Sequence, residues 1–434
     1  MNQNSNEKPE QSPVKPDAGK VLLEELTRPP EPKRGGWWRR AGRVLLVPAL
    51  AILTGLIFGA ILMVLTTEEV YQAFGRSFGE GLSLAWRTVI ESYGAMFAGS
   101  LGDPGRMISA LGSGEPAAIR RAFNPFLESL VNATPYIFAG LAVALGFRSG
   151  LFNIGVEGQL FVGATASAYV GYAIKGLPGI IHMPLALLAG AVAGGVWGLI
   201  PGWLKAKTGA HEVINTIMLN WIAFRLTEFL LSGPMSRPDS GGLPITPIIE
   251  KSAEIPQFFQ APIRLHLGFF MALAVAWFIH WLLFKTTIGF EMRSVGANPS
   301  GARYAGMNIT RSTVLAMTIS GALAGVAGAV QVLAVNRSMA IGLSPGYGFD
   351  SIALALLGNS TPIGVVLSSI LFGVLRNGAT RMMVVSQIPI DIVSIIQALI
   401  LAFVAAPAII RTLYRIKIPK EAEQAVFVGS WGGK

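Results

Sequence analysis

The chain has 434 residues, of which 52% are hydrophobic and 13% are charged, and its formal net charge is +10. Soluble domains carry about 25% charged residues, so this composition excludes an ordinary soluble protein and indicates a membrane protein. The absence of cysteine excludes disulfides and thiolate metal sites, and the basic residues lie mainly at the ends of apolar runs, where they serve membrane topology rather than nucleic-acid binding.

The N-terminal region is predicted to be a disordered cytoplasmic tail followed by a first span. Residues 1–42 are polar and proline-rich, so they bury too little apolar area to offset the entropy of ordering. The stretch "KRGGWWRRAGR" then precedes an apolar run over residues 43–65, which places the N-terminus inside by the positive-inside rule. Residues 66–129 are rich in glycine and charge, and we expect an extracytoplasmic region with short amphipathic helices.

Residues 130–411 contain the other membrane segments. A bilayer core of about 30 Å needs about 20 apolar residues per helix. The predicted spans are residues 130–148, 153–174, 182–204, 213–231, 266–285, 313–335 and 388–410. Residues 347–378 contain two short apolar pieces split by "NST", which predicts a broken or re-entrant pair. The predicted fold class is all-α, a polytopic helical membrane protein with about ten membrane segments.

Loop charges agree with this topology in most places. The basic residues of the loops predicted to lie inside are Lys205, Lys207, Lys285, Arg293, Arg303 and Arg311. At the last span, Arg411 and the tail residues Arg415, Lys417 and Lys420 are basic, so the C-terminal tail over residues 412–434 is also predicted to be cytoplasmic. Arg376 and Arg381 disagree, because the same topology puts them outside.

Two segments resemble each other. "LLAGAVAGGVWG" from Leu187 and "TISGALAGVAGA" from Thr318 both place small residues four positions apart. An internal repeat of the kind found in transporters explains this pattern. Two independent, tightly packed helices explain it equally well.

Two enzyme motifs are present, and both are interpreted as chance matches. "GRSFG" at Gly75–Gly79 matches the G-x-S-x-G elbow, which needs a preceding strand and a positioned histidine. "HEVIN" at His211 begins like the zinc motif H-E-x-x-H, but Asn215 stands in place of the second ligand. No metal site is predicted, and the sequence has no G-x-x-x-x-G-K-[ST] loop for ATP phosphates. We therefore expect a transport subunit without enzymatic activity or a cofactor of its own.

Polar residues inside the apolar runs are candidates for a translocation pathway or its support. Ionisable groups in hydrocarbon are costly and usually face a bundle interior or a watery cavity. The candidates are Asn153, Glu157, Gln159, Glu212, Asn215, Asn220 and Asn359. Asn153 and Glu157 are expected to share a helix face, the residues from Glu212 to Asn220 to form a stripe, and Asn359 to lie at the predicted break. Hydrogen bonding that only fixes helix packing is the alternative, and for Glu157 we expect bracing rather than substrate contact.

A long loop on the inside is predicted to be a docking surface for another subunit. Residues 287–312 exceed what a connection between two spans requires, and Pro299 suits the first turn of a short helix. The polar and charged residues of this surface, with that proline, are Glu291, Arg293, Asn298, Pro299, Arg303 and Tyr304. A solvated loop that only obeys the positive-inside rule is the alternative.

Three sequence blocks resemble the permease subunits of bacterial ABC importers for nucleosides and simple sugars, within the branched-chain amino acid and ribose-type permease superfamily. They are "GLFNIGVEGQLFVGA", "GAHEVINTIMLNWIA" and "GFEMRSVGANPSGARYAGMNI". The resemblance covers residues 125–411, and the second block is more similar to the nucleoside branch. It implies an ATP-driven nucleoside permease that works by alternating access. A simple-sugar permease is the first alternative, and an ion-coupled secondary transporter is the second.

The resemblance also implies partners and site roles. The partners would be ABC ATPase subunits that bind ATP and Mg, a second homologous permease, an extracytoplasmic substrate-binding lipoprotein and the bilayer of the bacterial cytoplasmic membrane. The coupling helix seated on the ATPase would include Glu291, Arg293, Ala297, Asn298, Pro299, Arg303 and Tyr304. Glu157 and Glu212, with their neighbouring amides, would line or support the central pathway.

Overall fold

The computed structural model describes residues 37–238, 240–386, 388 and 390–415. The helices of this part of the chain are α1 (Trp37–Thr66), α2 (Glu68–Arg76), α3 (Phe78–Ser100), α4 (Pro104–Ser113), α5 (Pro116–Arg148), α6 (Val156–Ala173), α7 (Gly179–Thr208), α8 (Glu212–Ser232), α9 (Leu267–Lys285), α10 (Thr287–Ala297), α11 (Pro299–Tyr304), α12 (Ile309–Val330), α13 (Tyr347–Leu357), α14 (Pro362–Ser386), α15 (Ile390–Ala405) and α16 (Pro407–Leu413). A 3₁₀ turn (Lys251–Ala253) precedes α9, and a π-helical turn (Gln331–Asn336) continues α12.

The protein is an all-α polytopic membrane protein. By length and composition alone, six helices of the described part could cross a membrane: Ala49–Thr66, Pro116–Arg148, Gly179–Thr208, Leu267–Lys285, Ile309–Asn336 and Pro362–Ser386. The predicted spans at residues 153–174, 213–231 and 388–410 coincide with the shorter or more polar helices α6, α8 and α15. The fold class predicted from bilayer-length apolar runs is therefore confirmed.

Helix α5 lies at the centre of the bundle. All of its residues from 133 to 146 are buried, because α9, α12, α13 and α14 contact it. The ring of Tyr136 packs edge-on against Tyr347 and Phe372, with centroid distances of 4.9 and 4.8 Å. A helix that is apolar on all sides belongs in a bundle interior, and the predicted span at residues 130–148 is the C-terminal half of this helix.

Helices α7 and α12 cross at their glycines. A Cβ added to Gly194 would lie 2.4 Å from the carbonyl oxygen of Gly321 and 2.7 Å from the Cα of Gly325. Only small residues permit such a backbone contact between membrane helices. These glycines belong to the two segments that resemble each other in sequence, so the shared pattern corresponds to two surfaces that pack against one another.

The region between α1 and α5 is more regular than its composition indicates. Helix α3 has 23 residues, whereas short amphipathic helices were predicted over residues 66–129. The hydroxyl of Tyr93 in α3 donates to the carbonyl of Leu56 at 2.5 Å, and the Asn377 amide of α14 donates to the carbonyl of Gly99 at 3.1 Å. Packing against α1 and α14 stabilises one long helix in a stretch where the sequence predicted short amphipathic helices.

Two loops pair with each other beyond α8 and α12. The backbone N–H of Thr246 donates to Met339 and that of Ile249 donates to Arg337, both at 2.9 Å. The Arg337 guanidinium also lies 3.4 Å from the Glu254 carboxylate. These contacts hold the loops together as one cover over this end of the bundle.

The predicted tails lie mostly beyond the described residues. Residues 37–42, which were assigned to the N-terminal tail, belong to α1. Residues 1–36 and residues 416–434 lie outside the described part of the chain. Ala49 begins the compact unit that contains all the later helices.

Candidate functional site

The pair of helices α13 and α14 is broken at residues 358–361, as the short apolar pieces predicted. Asn359 and Ser360 both have a φ of +50°, in the left-handed region that non-glycine residues rarely adopt. Helix α13 has only 11 residues, so at 1.5 Å per residue it spans about half of a bilayer core. The chain therefore contains a half-helix that is too short to cross the membrane.

One arginine satisfies the carboxyl-terminal end of the half-helix. The Nε of Arg148 donates to the carbonyl of Ser360 at 2.9 Å, and its Nη2 donates to the carbonyl of Asn359 at 2.8 Å. Unwound backbone inside a membrane protein needs such polar partners. Asn359 accepts through its backbone carbonyl in these bonds, not through its side chain. Arg148 is a site residue that the sequence did not reveal.

One carboxylate satisfies the opposite end of the half-helix. Glu157 is 3% exposed, and its Oε2 accepts the N–H of Gly348 at 2.5 Å. Ser344 lines the same cavity as this carboxylate, and its hydroxyl accepts the N–H groups of Gly346 and Tyr347. A carboxylate at a helix N-terminus and a cation at its C-terminus both complement the helix dipole. We call Glu157 and Arg148 together the α13 clamp.

The segment between α5 and α6, residues 149–155, is not helical, although a span was predicted from residue 153. Asn153 precedes α6, so the prediction that it shares a helix face with Glu157 is wrong. Its side-chain Oδ1 accepts the N–H of Gly155 at 2.9 Å, and its Nδ2 donates to Gln159 at 2.9 Å. An asparagine that binds the backbone two residues ahead favours a turn over a helix.

The buried amides around this segment are hydrogen-bonded to protein groups. Asn220 accepts the N–H of Gly158 at 2.9 Å and donates to the carbonyl of Ile154 at 3.0 Å. Gln159 pairs with Asn153. These three amides, which were candidates for the pathway, hold α6, α8 and the unwound segment together.

Helix α8 carries the predicted polar stripe. Glu212, Thr216 and Asn220 are all buried on one face, and the Nζ of Lys205 lies 2.6 Å from Oε2 of Glu212. Asn215 lies beside this face, and its buried Nδ2 has no hydrogen-bond partner among the described residues. The stripe therefore contains one ion pair and one amide with unused donor capacity.

A cavity of about 740 Å³ opens beside the clamp and the ion pair. Its charged and polar lining includes Arg148, Lys205, His211, Glu212 and Asn359. Two cations face one carboxylate, so the wall is basic. We call this space the basic cavity.

The sequence reading missed Asp350 and its partners. The hydroxyl of Tyr136 donates to Oδ2 of Asp350 at 3.1 Å, and the Arg376 guanidinium is close enough for its charge to act on that carboxylate. Arg376, which disagrees with the positive-inside pattern, is therefore near a carboxylate within the bundle. The available signal was Asp350 itself, a charge within the apolar run "FDSIALALLG".

The predicted docking loop divides into two parts. In α10, Arg293 turns toward the bundle, donating from Nε to the carbonyl of Leu283 at 2.9 Å and lying 5.0 Å from the ring centroid of Phe284. Glu291 is half-buried. The residues around α11 are exposed, and they are Ala297, Asn298, Pro299, Arg303 and Tyr304. The predicted docking residues with exposed side chains are therefore those around α11.

Helix α11 is built as its sequence predicts. Pro299 occupies the first turn, and Oδ1 of Asn298 accepts the N–H of Gly301 at 2.9 Å. Tyr304 is 96% exposed at its end. Helix α11 is therefore capped and exposed. The adjoining end of α10 contacts the unwound segment closely, since a Cβ added to Gly150 would lie 2.7 Å from the Cα of Gly296.

The two enzyme motifs lack the surroundings that their chemistry needs. Ser77 separates helices α2 and α3, so no strand precedes it as the nucleophile elbow requires. His211 is exposed next to Glu212. Among the described residues, no group of three or more histidine and acidic side chains could hold a metal ion.

The sequence matches one protein family over residues 126–419, which is more than half of the chain. The family is described as the branched-chain amino acid transport system, permease component. No solved structure matches the chain at a significant level.

Three similar proteins cover most of the chain. The guanosine ABC transporter permease protein NupP of Bacillus subtilis is 41% identical over 85% of this chain and 94% of its own length. The nucleoside ABC transporter permease protein NupB of Lactococcus lactis is 32% identical over 86% of this chain and 93% of its own length. The glucose ABC transporter permease protein TsgB13 of Haloferax volcanii is 35% identical over 67% of this chain and 78% of its own length.

Proposed function

Because the chain belongs to the family of permease components of branched-chain amino acid transport systems, we propose that it forms the translocation pathway of an ATP-driven importer for nucleosides. The observation that carries this proposal is the 41% identity to a guanosine permease over nearly the whole of that protein. The similarity to a glucose permease covers less of both chains, so a simple-sugar permease is the second candidate.

The proposed transporter contains several kinds of subunit. This chain has no phosphate-binding loop of the G-x-x-x-x-G-K-[ST] type, so separate ATPase subunits bind ATP and Mg. A second, homologous permease completes the pathway, and an extracytoplasmic lipoprotein delivers the substrate. The complex lies in the bacterial cytoplasmic membrane with both termini of this chain in the cytoplasm, an orientation supported by the basic residues that flank its spans.

Helix α11 is the coupling helix in this proposal. It is short, capped at Asn298 and exposed at Arg303 and Tyr304, which suits insertion into a groove of the ATPase. Glu291 and Arg293 of α10 serve a different role, because Arg293 fastens α10 to the end of α9 through Leu283. The docking contacts therefore come from residues 297–304.

Transport proceeds by alternating access around the half-helix α13. Broken helices near the bilayer midplane are a common location for transporter binding sites. Glu157 and Arg148 hold the two ends of α13, and Arg148 faces the basic cavity on the side of the coupling loop. ATP binding and hydrolysis in the partner shift the coupling helix, and the paired permeases reorient around this element.

Uptake by the purified complex in vesicles tests the proposal. We expect the vesicles to accumulate radiolabelled guanosine only when ATP and the ATPase subunits are present. Unlabelled nucleosides should suppress this uptake, and glucose should not. Uptake driven by a proton or sodium gradient without ATP would identify a secondary transporter instead. Competition by glucose alone would favour the sugar permease.

The Lys205–Glu212 ion pair gives a further prediction. Glu212→Ala leaves Lys205 as an unpaired cation in the wall of the basic cavity, and we expect uptake to fall about tenfold, equivalent to about 1.4 kcal/mol. The matched control is Glu91→Ala, which removes a carboxylate whose pairing with Arg87 is exposed. Initial uptake rates are normalised to the amount of permease in the membrane. Equal and negligible losses in both variants would contradict a role for Glu212 in transport.

A further inference from the structure

A second cavity is lined by Glu157. It has a volume of about 430 Å³, within the range of about 300–1,000 Å³ that small-molecule sites occupy. Its walls come from α6, α8 and the start of α13, and four of its lining residues are aromatic: Phe161, Trp221, Phe224 and Phe349. We call it the aromatic cavity.

The rings of the aromatic cavity are arranged edge to face. The Phe161 and Phe224 centroids lie 5.1 Å apart with the planes at 74°, and those of Trp221 and Phe224 lie 5.9 Å apart at 82°. Phe161 is 6% exposed and Trp221 is 58% exposed, so the rings extend from the interior to the open side. In a T-shaped pair the edge of one ring occupies one face of the other, so the remaining faces, above all those of the exposed Trp221, are left for a flat guest to stack on.

The floor of the aromatic cavity is a strong hydrogen-bond acceptor. Glu157 lines the cavity together with Ser344, and its Oε2 accepts the Gly348 N–H. An ionised carboxylate has two oxygens and about four acceptor positions. The contacts with α13 therefore leave acceptor capacity for a ligand.

We propose that the aromatic cavity binds the base of a nucleoside, with the ring stacked among Phe161, Trp221 and Phe224 and with N–H groups of the base donated to Glu157. The proposal rests on the proposed nucleoside import and adds the binding site and its base preference. Stacking on aromatic side chains accepts any base, whereas hydrogen bonds to the base edge select among them.

The acceptor at the floor favours guanine. The Watson–Crick edge of guanine carries N–H donors at N1 and N2 side by side, which match the two oxygens of a carboxylate. Adenine presents an acceptor at N1, which would face the negative charge. A lipid chain would make no use of a carboxylate. The expected order of binding is guanosine, then inosine with its single N1–H donor, then adenosine.

Photolabelling tests the location of the site. The probe is 8-azidoguanosine, applied to the assembled complex in lipid vesicles, followed by peptide mapping. We expect labelling within residues 157–161 and 221–228, with excess guanosine protecting better than adenosine. Trp221→Ala should reduce labelling about tenfold, and Trp221→Phe should retain most of it. Trp277→Ala is the matched control, because Trp277 is also an exposed tryptophan, at 69%, and does not line this cavity.

Glu157→Gln tests the base preference. The glutamine keeps an oxygen for the Gly348 N–H but replaces one acceptor by a donor. In protection against 8-azidoguanosine labelling, we expect the advantage of guanosine over adenosine to fall about tenfold. An unchanged preference would overturn the role of Glu157.

The outcomes separate this proposal from the proposed function. If the wild-type complex takes up no nucleoside, the proposed function fails. If it takes up guanosine but the label lies outside the aromatic cavity, or Trp221→Ala labels normally, only the site proposal is overturned. Protection by glucose rather than guanosine would also overturn it.

Discussion

Arg303→Glu is expected to abolish nucleoside uptake by the assembled transporter while membrane insertion and substrate delivery continue. Arg303 is exposed on α11, so reversal of its charge leaves the packing of the bundle unchanged. A glutamate at this position would face the negatively charged or carbonyl-lined surface of the ATPase that the arginine is proposed to contact. Like-charge contacts at an interface cost several kcal/mol. ATP-driven uptake into vesicles and co-purification of the ATPase subunits measure the effect.

A charge reversal away from α11 provides the comparison. Lys207 is also exposed, lies in the last turn of α7 and belongs to a loop predicted to be on the same side of the membrane. Lys207→Glu should therefore transport at a near-normal rate. Normal uptake by the Arg303→Glu variant would show that α11 is not the coupling element.

Gly194→Leu is expected to prevent accumulation of folded permease. A Cβ at this position would already lie 2.4 Å from the carbonyl oxygen of Gly321, so the leucine would force α7 and α12 apart. Overpacking of a well-packed core costs about 1–3 kcal/mol where side chains can adjust, and here the obstacle is backbone. The measurements are the yield of monodisperse protein in mild detergent and its thermal unfolding temperature.

The matched substitution is Gly94→Leu in α3. A Cβ at Gly94 meets nothing within 4 Å, so the added side chain has space. Its yield and unfolding temperature should stay close to those of the wild type. A Gly194→Leu protein with a wild-type unfolding temperature would mean that α7 and α12 do not depend on this close approach.

The bilayer makes much of this fold predictable from sequence. Spans must be apolar over a fixed length, so α1, α5, α7, α9, α12 and α14 are visible as apolar runs. The break at Asn359 was visible because "NST" splits the apolar stretch, but only α13 is too short to cross; α14 extends to Ser386 and is long enough to span the membrane, which the sequence prediction of two short pieces missed. The length of α3 was not visible, because it depends on packing against α14 rather than on its own composition.

Some residues of the candidate site were predictable from the sequence, but Arg148, Asp350 and the arrangement of the site were not. Glu157 and Glu212 were found because charges in apolar runs are costly. The unwound segment could not be read from the sequence, since the Asn153 side chain competes with helical hydrogen bonds only in the folded context. The orientation of the Arg293 side chain could not be predicted either. The sequence does not distinguish a basic loop residue that faces solvent from one that donates to a carbonyl at the end of a neighbouring helix.

The ten-residue stretch from Arg148 to Glu157 has a mechanical consequence. Its two ends hold the two ends of α13, and in between Gly150 lies backbone against backbone with Gly296, two residues before Asn298 at the start of α11. The route therefore consists of one backbone contact and the side chains of Arg148 and Glu157. Under the coupling role proposed for α11, a displacement of that helix would reach the half-helix through these contacts, and one extra residue between Arg148 and Glu157 would uncouple them.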